Sequence, residues 1–309
     1  MLASFSIDYY IRIFIRVFDS AATIKRNASK TSMVSHCTSC RSFKTQTLGK
    51  YSECIKENSK NMSVKIGLAT LKLNGSCECC LGPTQIGGPF YGDNIHSKPF
   101  LRKLLAHLSE SSVNRYGTFE RMCGMVSMMH EELDDFPFYF LFPQLCTVMK
   151  CPTTTLQIIT SAILNAGYKC SLSHCAAASI KTDAHPRIVW RIIKAFMVKY
   201  QASLSAELVA DTDIKAKFGE GTPGYRILKS LEDEDAKNAE AGIPQPLFNF
   251  EFNEGSVPNS IKYGMIRFQM NPEPNWGPQS KARKIAEDRT TLESSKHDQG
   301  VEKKIKLGT

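Results

Sequence analysis

Residues 76–83 read SCECCLGP and place three cysteines within four positions. A second Cys-x-x-Cys pair lies in HCTSC at residues 36–40, and 36 residues separate the two pairs. Two such pairs can supply four thiolates to one tetrahedral zinc ion, each pair wrapping the metal as a knuckle. We predict a structural site, because four thiolates leave no open position for water. The predicted ligands are Cys37, Cys40, Cys77 and Cys80.

Other interpretations of the cysteines stay open at this point: a redox pair, or unrelated surface thiols. A redox pair would favour a helix N-terminus, which neither pair obviously opens. Cys54 and Cys79 are interpreted as spare thiols, and His36 as a weaker alternative ligand. The insert at 44–65 is interpreted as a loop. Five cysteines fall in helix or strand patterns and are predicted to be small core residues: Cys123, Cys146, Cys151, Cys170 and Cys175.

The net charge of +9 is concentrated in two parts of the 309-residue chain. Residues 1–50 carry 8 basic and 2 acidic side chains, and residues 151–200 carry 6 and 1. A polyanion-binding surface requires such concentration, although a generally soluble basic protein remains the alternative. No uncharged apolar run is long enough to cross a bilayer, so no membrane partner is predicted. Eleven cysteines without a recognisable signal peptide indicate a reducing compartment.

Apolar residues alternate strictly along 7–17, which predicts one long β-strand with a half-apolar second face. Such a strand normally lies inside a sheet. Because only six residues precede it, we expect that neighbouring strands are missing and that the chain is incomplete.

From residue 98 the apolar period changes to that of amphipathic helices. The predicted order is helix, short strand at 136–140, two helices, then a hairpin ending at 178–182. That order is typical of a winged helix. Pro186 opens a last helix, and after about residue 200 the chain becomes acidic and then rich in proline, asparagine, glycine and lysine, which predicts a largely disordered tail.

Candidate catalytic residues are scarce. Gly219, Gly221 and Gly224 form a G-x-G-x-x-G pattern, but no strand leads into it and Pro223 interrupts it. The clustered carboxylates EELDD at 131–135 are interpreted as a solvated helix end. His96 and His174 lie beside turns and are interpreted as hydrogen-bonded structural histidines rather than as catalysts.

Several motifs together resemble one family, the tRNA guanine-26 N2-dimethyltransferases, which use S-adenosylmethionine. The resemblance runs in order from about residue 4 to about residue 283. It is carried by SIDYYIRIFIRVF, LGPTQIGGPFYG with the following IH, EELDDFPFY, SAILNAGYKCSLSH and SIKTDA, and by TPGYRIL and RFQMNPEPNWGPQSKAR nearer the end.

The resemblance implies that the cofactor loop and the catalytic acidic motif precede the SIDYY strand, so no catalytic or cofactor-binding residue can be assigned here. The chain is expected to be a C-terminal half that is inactive alone. The expected fold is α+β: residues 1–92 hold the terminal strand of a Rossmann-like methyltransferase sheet and a zinc-knuckle module, 93–200 a winged-helix-like domain, and 201–309 the tail. The implied location is nuclear, with mitochondrial location also open.

The resemblance makes tRNA the expected partner. On the helix after Pro186, the side opposite the apolar stripe is basic, with no acidic residue between its cations. We predict that this stripe follows the tRNA phosphate backbone, a solvated basic face being the alternative. The predicted tRNA-binding residues are Lys181, Arg187, Arg191 and Lys194.

Two other functions stay open. One is a standalone zinc-containing RNA-binding or interaction module. The other is a DNA-binding winged helix, which is disfavoured because the predicted recognition helix TTTLQIITSAILNAG contains no lysine or arginine.

Overall fold

The computed structural model describes residues 1–7, 10–55, 62–70, 75–110, 116–204, 217–244 and 246–268. The strands are β1 (Ala3–Ile7), β2 (Tyr10–Phe14), β3 (Thr31–Cys37), β4 (Phe43–Thr47), β5 (Gly49–Ile55), β6 (Met62–Leu68), β7 (Thr84–Tyr91), β8 (Phe140–Leu141), β9 (Cys170–Ser173) and β10 (Ala176–Thr182). The helices are α1 (Ala21–Ile24), α2 (Asn27–Lys30), α3 (Lys98–Glu110), α4 (Phe119–Glu131), α5 (Phe142–Val148), α6 (Leu156–Asn165), α7 (Pro186–Leu204), α8 (Pro223–Glu240) and α9 (Asn259–Lys262).

The N-terminal segment is an antiparallel hairpin of β1 and β2, in which Ala3 pairs with Phe14 and Ile7 with Tyr10. The prediction of one strand over 7–17 is therefore wrong, because the chain reverses between Ile7 and Tyr10. Strand β1 packs its apolar residues against α3 and α4, whereas every residue of β2 is exposed.

The cysteine-bearing region is built on a three-stranded antiparallel sheet in the order β4-β3-β7. A separate antiparallel hairpin of β5 and β6 pairs Gly49 with Leu68 and Ile55 with Met62. The prediction of a loop over 44–65 is wrong for the described residues, since both hairpin strands fall largely inside it. In β6, Val64 and Ile66 alternate with Ser63, Lys65 and Gly67, which is the period-two pattern of a strand.

The region after residue 98 has the predicted order of elements. Helices α3 and α4 pack on each other, and β8, β10 and β9 form a three-stranded antiparallel sheet in that order. Gly167, with φ of 84°, follows the end of α6, as expected of a glycine that terminates a helix. The largest core cluster joins α5, α6 and α7, with Trp190, Ile192 and Ile193 almost fully buried. Among the described helices, none is both long enough and apolar enough to cross a bilayer.

Helix α8 corrects the expectation of a disordered tail for the described part of 217–268. Thr222 caps the helix by accepting a hydrogen bond from Tyr225 N, and Pro223 occupies its first turn. Its apolar face is buried in the same core cluster as α7. The residues that supply this face are Ile227, Leu228 and Leu231. Within the predicted tail, residues 201–204 belong to α7, and residues 205–216, 245 and 269–309 lie outside the described residues.

Gly224, the last glycine of the G-x-G-x-x-G pattern, is required for packing. A Cβ at this position would lie 2.4 Å from the Phe218 ring and 2.7 Å from Val148 O, so a side chain would force α8 away from the core. We predict that Gly224→Ala lowers the free energy of unfolding by about 1–3 kcal/mol. Gly221→Ala is the matched control, because nothing lies within 4 Å of its added Cβ. Urea denaturation of both variants tests this, and equal midpoints would contradict it.

Candidate metal centre and buried polar cluster

The structure brings the four predicted zinc ligands together. Cys37 Sγ lies 3.5 Å from Cys80 Sγ, and Cys40 Sγ lies 3.6 Å from Cys77 Sγ. All four sulfur atoms lie within 4.8 Å of one another, and all four residues are buried. A tetrahedral zinc ion with Zn–S bonds of about 2.3 Å sets its sulfurs about 3.8 Å apart. The four thiols therefore fit such an ion.

The two cysteine pairs adopt the same local turn. A residue with positive φ follows the second cysteine of each pair, Arg41 at 64° and Leu81 at 55°. The same two backbone hydrogen bonds close each turn: Arg41 N to Cys37 O (3.1 Å) and Cys37 N to Ser42 O (2.8 Å) in the first, and Leu81 N to Cys77 O (2.9 Å) and Cys77 N to Gly82 O (2.9 Å) in the second. Equivalent turns on both sides of a metal are the arrangement predicted for paired zinc knuckles.

Backbone amides point at the sulfur atoms. Cys40 N–H donates to Cys37 Sγ at 3.4 Å, and Cys79 N–H donates to Cys77 Sγ at 3.3 Å. Such donors stabilise thiolates and orient them toward a metal. Cys79 is buried beside the cluster, but it is not one of the four converging thiols.

Helix α7 holds the knuckles against the rest of the protein. Trp190 Nε1 donates to Ser42 Oγ at 2.9 Å, and Ser42 Oγ lies 3.2 Å from Cys40 Sγ. From the same helix, Arg187 Nη1 donates to Glu78 O in the second knuckle at 2.5 Å. The four-cysteine cluster and the helical core thus share hydrogen bonds.

The exposed cationic face expected on α7 is not present. Arg187 donates to Glu234 at 2.6 Å, while Arg191 and Lys194 both pair with Asp235. The acidic run of α8 neutralises the stripe, and Arg191 is 9% exposed. The premise of a free basic face is wrong, because a helix expected to be part of a disordered tail covers it. The tRNA contacts of these residues stay a prediction.

Lys181, the fourth predicted tRNA-binding residue, is buried. Its Nζ donates to Glu132 Oε1 at 2.9 Å, and the two side chains are 1% and 2% exposed. Glu132 lies directly after α4, in the EELDD run. The interpretation of that run as a solvated helix end is therefore wrong for Glu132. Lys181, predicted as a tRNA-binding residue, is buried rather than accessible at the surface.

Glu132 is the centre of a buried polar cluster. Its carboxylate accepts hydrogen bonds from His174 Nδ1 at 2.7 Å, from Ser173 Oγ at 3.0 Å and from Lys181. Burial acts to raise the pKa of Glu132, but the hydrogen bond from His174 and the nearby positive charge outweigh it and lower the pKa. Glu132 is therefore a buried carboxylate that stays ionised.

Two histidines of this cluster bind the outer edge of β1. Ser4 N–H donates to His96 Nδ1 at 3.5 Å, and Ser6 N–H donates to His174 Nε2 at 3.3 Å. The next edge group, Leu2 O, accepts from Ser97 N at 2.8 Å. The imidazoles thus accept the backbone hydrogen bonds of β1 that a neighbouring strand would otherwise accept. These contacts agree with the interpretation of both residues as hydrogen-bonded structural histidines.

The polarity of these bonds argues against a metal at His96, Glu132 and His174, although their ligand atoms lie within 4.8 Å of one another. A metal-bound histidine usually donates its other ring N–H to an acceptor. Here the other nitrogen of His96 faces a backbone N–H donor, so it must be unprotonated. Burial also lowers the pKa of His96. The donor set fits a structural network rather than a metal centre.

Comparison with known proteins places these features in a family. The profile of N2,N2-dimethylguanosine tRNA methyltransferases matches residues 1–194. A Mus musculus tRNA (guanine(26)-N(2))-dimethyltransferase is 34% identical over 283 residues, 91% of this chain and 38% of that protein. The Schizosaccharomyces pombe protein of the same name is 33% identical over 288 residues, 93% of this chain and 48% of that protein.

A Saccharomyces cerevisiae relative, named as a mitochondrial tRNA (guanine(26)-N(2))-dimethyltransferase, is 29% identical over 287 residues, 91% of this chain and 48% of that protein. A structure of Trm1 from Pyrococcus horikoshii with S-adenosyl-L-methionine aligns with a TM-score of 0.47 and 17% identity, covering 62% of this chain and 42% of that one. The chain thus spans less than half the length of these relatives. The chain belongs to the N2,N2-dimethylguanosine tRNA methyltransferase family.

Proposed function

We propose that this chain serves in the S-adenosylmethionine-dependent conversion of a tRNA guanine to N2,N2-dimethylguanine. The observation that carries the proposal is the family match over residues 1–194, which contains both the four-cysteine centre and the Glu132 cluster. No residue of this chain is assigned to catalysis or to the methyl donor. We therefore propose that methyl transfer requires a protein as long as these relatives. We propose that this chain alone does not transfer methyl groups.

Within that function, the chain contributes two modules. Cys37, Cys40, Cys77 and Cys80 hold a structural zinc ion, which fixes the knuckles against α7 and supplies no catalytic water. The elements from α4 to β10 form a winged-helix-like domain, supported by their order of helix, strand, two helices and hairpin. The N-terminal hairpin is proposed to belong to the edge of the methyltransferase sheet.

The tRNA-facing charge is proposed to lie in residues 1–50 rather than on α7. Four cations there are exposed and form neither an ion pair nor a side-chain hydrogen bond with another described residue. A cation must be accessible to contact a phosphate, and each such contact releases a counterion that was condensed on the tRNA. The four cations are Arg12, Arg16, Lys25 and Arg41.

We predict that changing these four residues to glutamine weakens binding to all folded tRNAs alike. The slope of log affinity against log salt should fall by about three units if each cation meets one phosphate. Filter binding to one folded tRNA across a salt series measures the slope. A triple glutamine variant of Arg187, Arg191 and Lys194 is the control.

The two variants separate the two candidate surfaces. An unchanged slope in the quadruple variant would overturn the proposed surface. A loss of two to three units in the triple variant would instead support tRNA contacts on α7. If the chain binds duplex DNA as tightly as tRNA, the DNA-binding alternative is favoured. If it binds tRNA but has no role in dimethylation, a standalone RNA-binding module is favoured. We propose a nuclear location for this protein. A mitochondrial location is the alternative, because the Saccharomyces cerevisiae relative is named as a mitochondrial enzyme.

A further inference from the structure

Helix α5 ends in a turn that brings two cysteines together. Lys150, with φ of 46°, follows the C-cap residue Met149. Cys151 N donates to Cys146 O at 3.0 Å, and Lys150 N donates to Thr147 O at 3.3 Å. These two bonds define a Schellman motif, in which the side chains at the two outer positions frequently contact each other. In this turn both outer positions are cysteines.

The turn after α6 has the same two bonds and shows how the motif places these positions. Tyr168 N donates to Ile163 O at 3.2 Å, and Gly167 N donates to Leu164 O at 2.9 Å. There the outer pair, Ile163 and Tyr168, packs in the largest core cluster. A pair of thiols in the equivalent positions can also form a covalent bond.

The two thiols of the α5 turn contact each other and differ in exposure. They share a hydrogen bond, Cys146 is 2% exposed, and Cys151 is half-buried. The backbone hydrogen bond between the two residues keeps their Cα atoms within the range of about 4–7 Å that a disulfide spans. The expectation of a small core residue is confirmed for Cys146. It is wrong for Cys175, because the turn between β9 and β10 carries that side chain outward.

We propose that Cys146 and Cys151 form a reversible disulfide site, which small aliphatic disulfides such as oxidised glutathione oxidise. Cys151 is the attacking thiol, because it is the more accessible of the two, and Cys146 is the resolving thiol. The site is separate from the four-cysteine centre, and it does not depend on the proposed role in tRNA dimethylation.

The hydrogen bond between the two thiols supports the same roles. The bond from Cys146 lowers the pKa of Cys151, although burial acts to raise it. The same bond, together with burial, raises the pKa of Cys146. Since the thiolate is the nucleophile in thiol–disulfide exchange, attack on the small disulfide begins at Cys151.

The exchange balances without a further reactant. The Cys151 thiolate attacks one sulfur of the small disulfide, a new S–S bond forms, and the first small thiolate leaves. The Cys146 thiolate then attacks the Cys151 sulfur, the protein disulfide forms, and the second small thiolate leaves. The two departing thiolates take up the two protons that the cysteines gave up. Two protein thiols are thus oxidised while one small disulfide is reduced to two thiols.

The bridge would act on a turn that other parts of the protein contact. Lys150 Nζ donates to Lys217 O at 3.2 Å and lies 5.4 Å from the centroid of the Phe218 ring. Because Lys150 stands between the two cysteines, a disulfide fixes the turn against which the segment before α8 packs.

Glutathione buffers test the proposal on the full chain. The chain is equilibrated near neutral pH with defined ratios of oxidised to reduced glutathione, and the remaining thiols are then blocked. Trypsin cuts after Lys150, so the bridge joins two peptides in the mass spectrum. The reference is a synthetic peptide of residues 140–155, in which Cys146 and Cys151 are the only cysteines.

We expect the equilibrium constant for bridge formation to be at least about tenfold larger in the chain than in the peptide, which corresponds to about 30 mV. The fold would then hold the two sulfurs in bonding position before oxidation. An equal or smaller constant in the chain overturns the site. A wild-type chain that keeps glutathione on Cys151 without forming the bridge also overturns it.

Single serine variants test the two roles. Cys146→Ser should carry glutathione on Cys151, whereas Cys151→Ser should keep Cys146 reduced in the same buffer. Glutathione on Cys146 in Cys151→Ser would overturn the assigned roles. The exposed Cys175 reports in each sample that the buffer reaches an accessible thiol. If circular dichroism shows that a variant does not fold, the comparison of the wild-type chain with the peptide decides.

Discussion

Cys77→Ser is expected to release the proposed zinc ion and to unfold the knuckles. Serine cannot supply the fourth thiolate, and structural zinc sites contribute on the order of 10 kcal/mol of metal-binding free energy that is coupled to folding. Because α7 donates hydrogen bonds to both knuckles, through Trp190 and Arg187, the loss should also lower the thermal midpoint of the helical core.

Cys79→Ser is the matched control, since Cys79 is an adjacent buried thiol that is not among the four converging sulfurs. Elemental analysis should find one zinc per chain in the wild type and in Cys79→Ser, and less than half in Cys77→Ser. Under half an equivalent in soluble wild-type protein would count decisively against the site, as would equal metal content in the two variants.

Glu132→Gln is expected to destabilise the fold by about 3–5 kcal/mol, because it leaves the buried Lys181 ammonium without an opposite charge. The side chains of this pair are 1% and 2% exposed, so water cannot compensate. The loss should appear as a lower free energy of unfolding in urea. Asp135→Asn, an exposed carboxylate in the same run, should change stability by less than about 0.5 kcal/mol.

A double variant separates the buried charge from general damage to the site. Adding Lys181→Met to Glu132→Gln removes the unpaired ammonium, so it should recover at least about half of the lost stability. If the double variant is less stable than Glu132→Gln, the ion pair is not what makes the single change costly.

Local patterns predicted the elements whose contacts are local. The paired Cys-x-x-Cys segments place their thiols together because each knuckle is set by a turn of a few residues. Helices α3 to α7 also follow their apolar period. The prediction of one strand over 7–17 failed because the sequence has no glycine or proline between Ile7 and Tyr10, where the chain reverses.

Long-range pairing accounts for the errors at α8, Glu132 and Lys181. The acidic run of α8 has the composition of a solvated segment, and only the fold shows that it covers Arg187 and Arg191. Glu132 is one of four carboxylates in EELDD, and nothing local distinguishes it from its exposed neighbour Asp135. A buried charge is identified by its partner, and Lys181 lies 49 residues away.

The proposed role in tRNA dimethylation is tested most directly by measuring N2,N2-dimethylguanosine in tRNA from cells that lack the gene for this protein. Nucleoside mass spectrometry of purified tRNA should show that the modification is lost and that it returns when the gene is restored. An unchanged level of N2,N2-dimethylguanosine in the deletion strain would contradict the account.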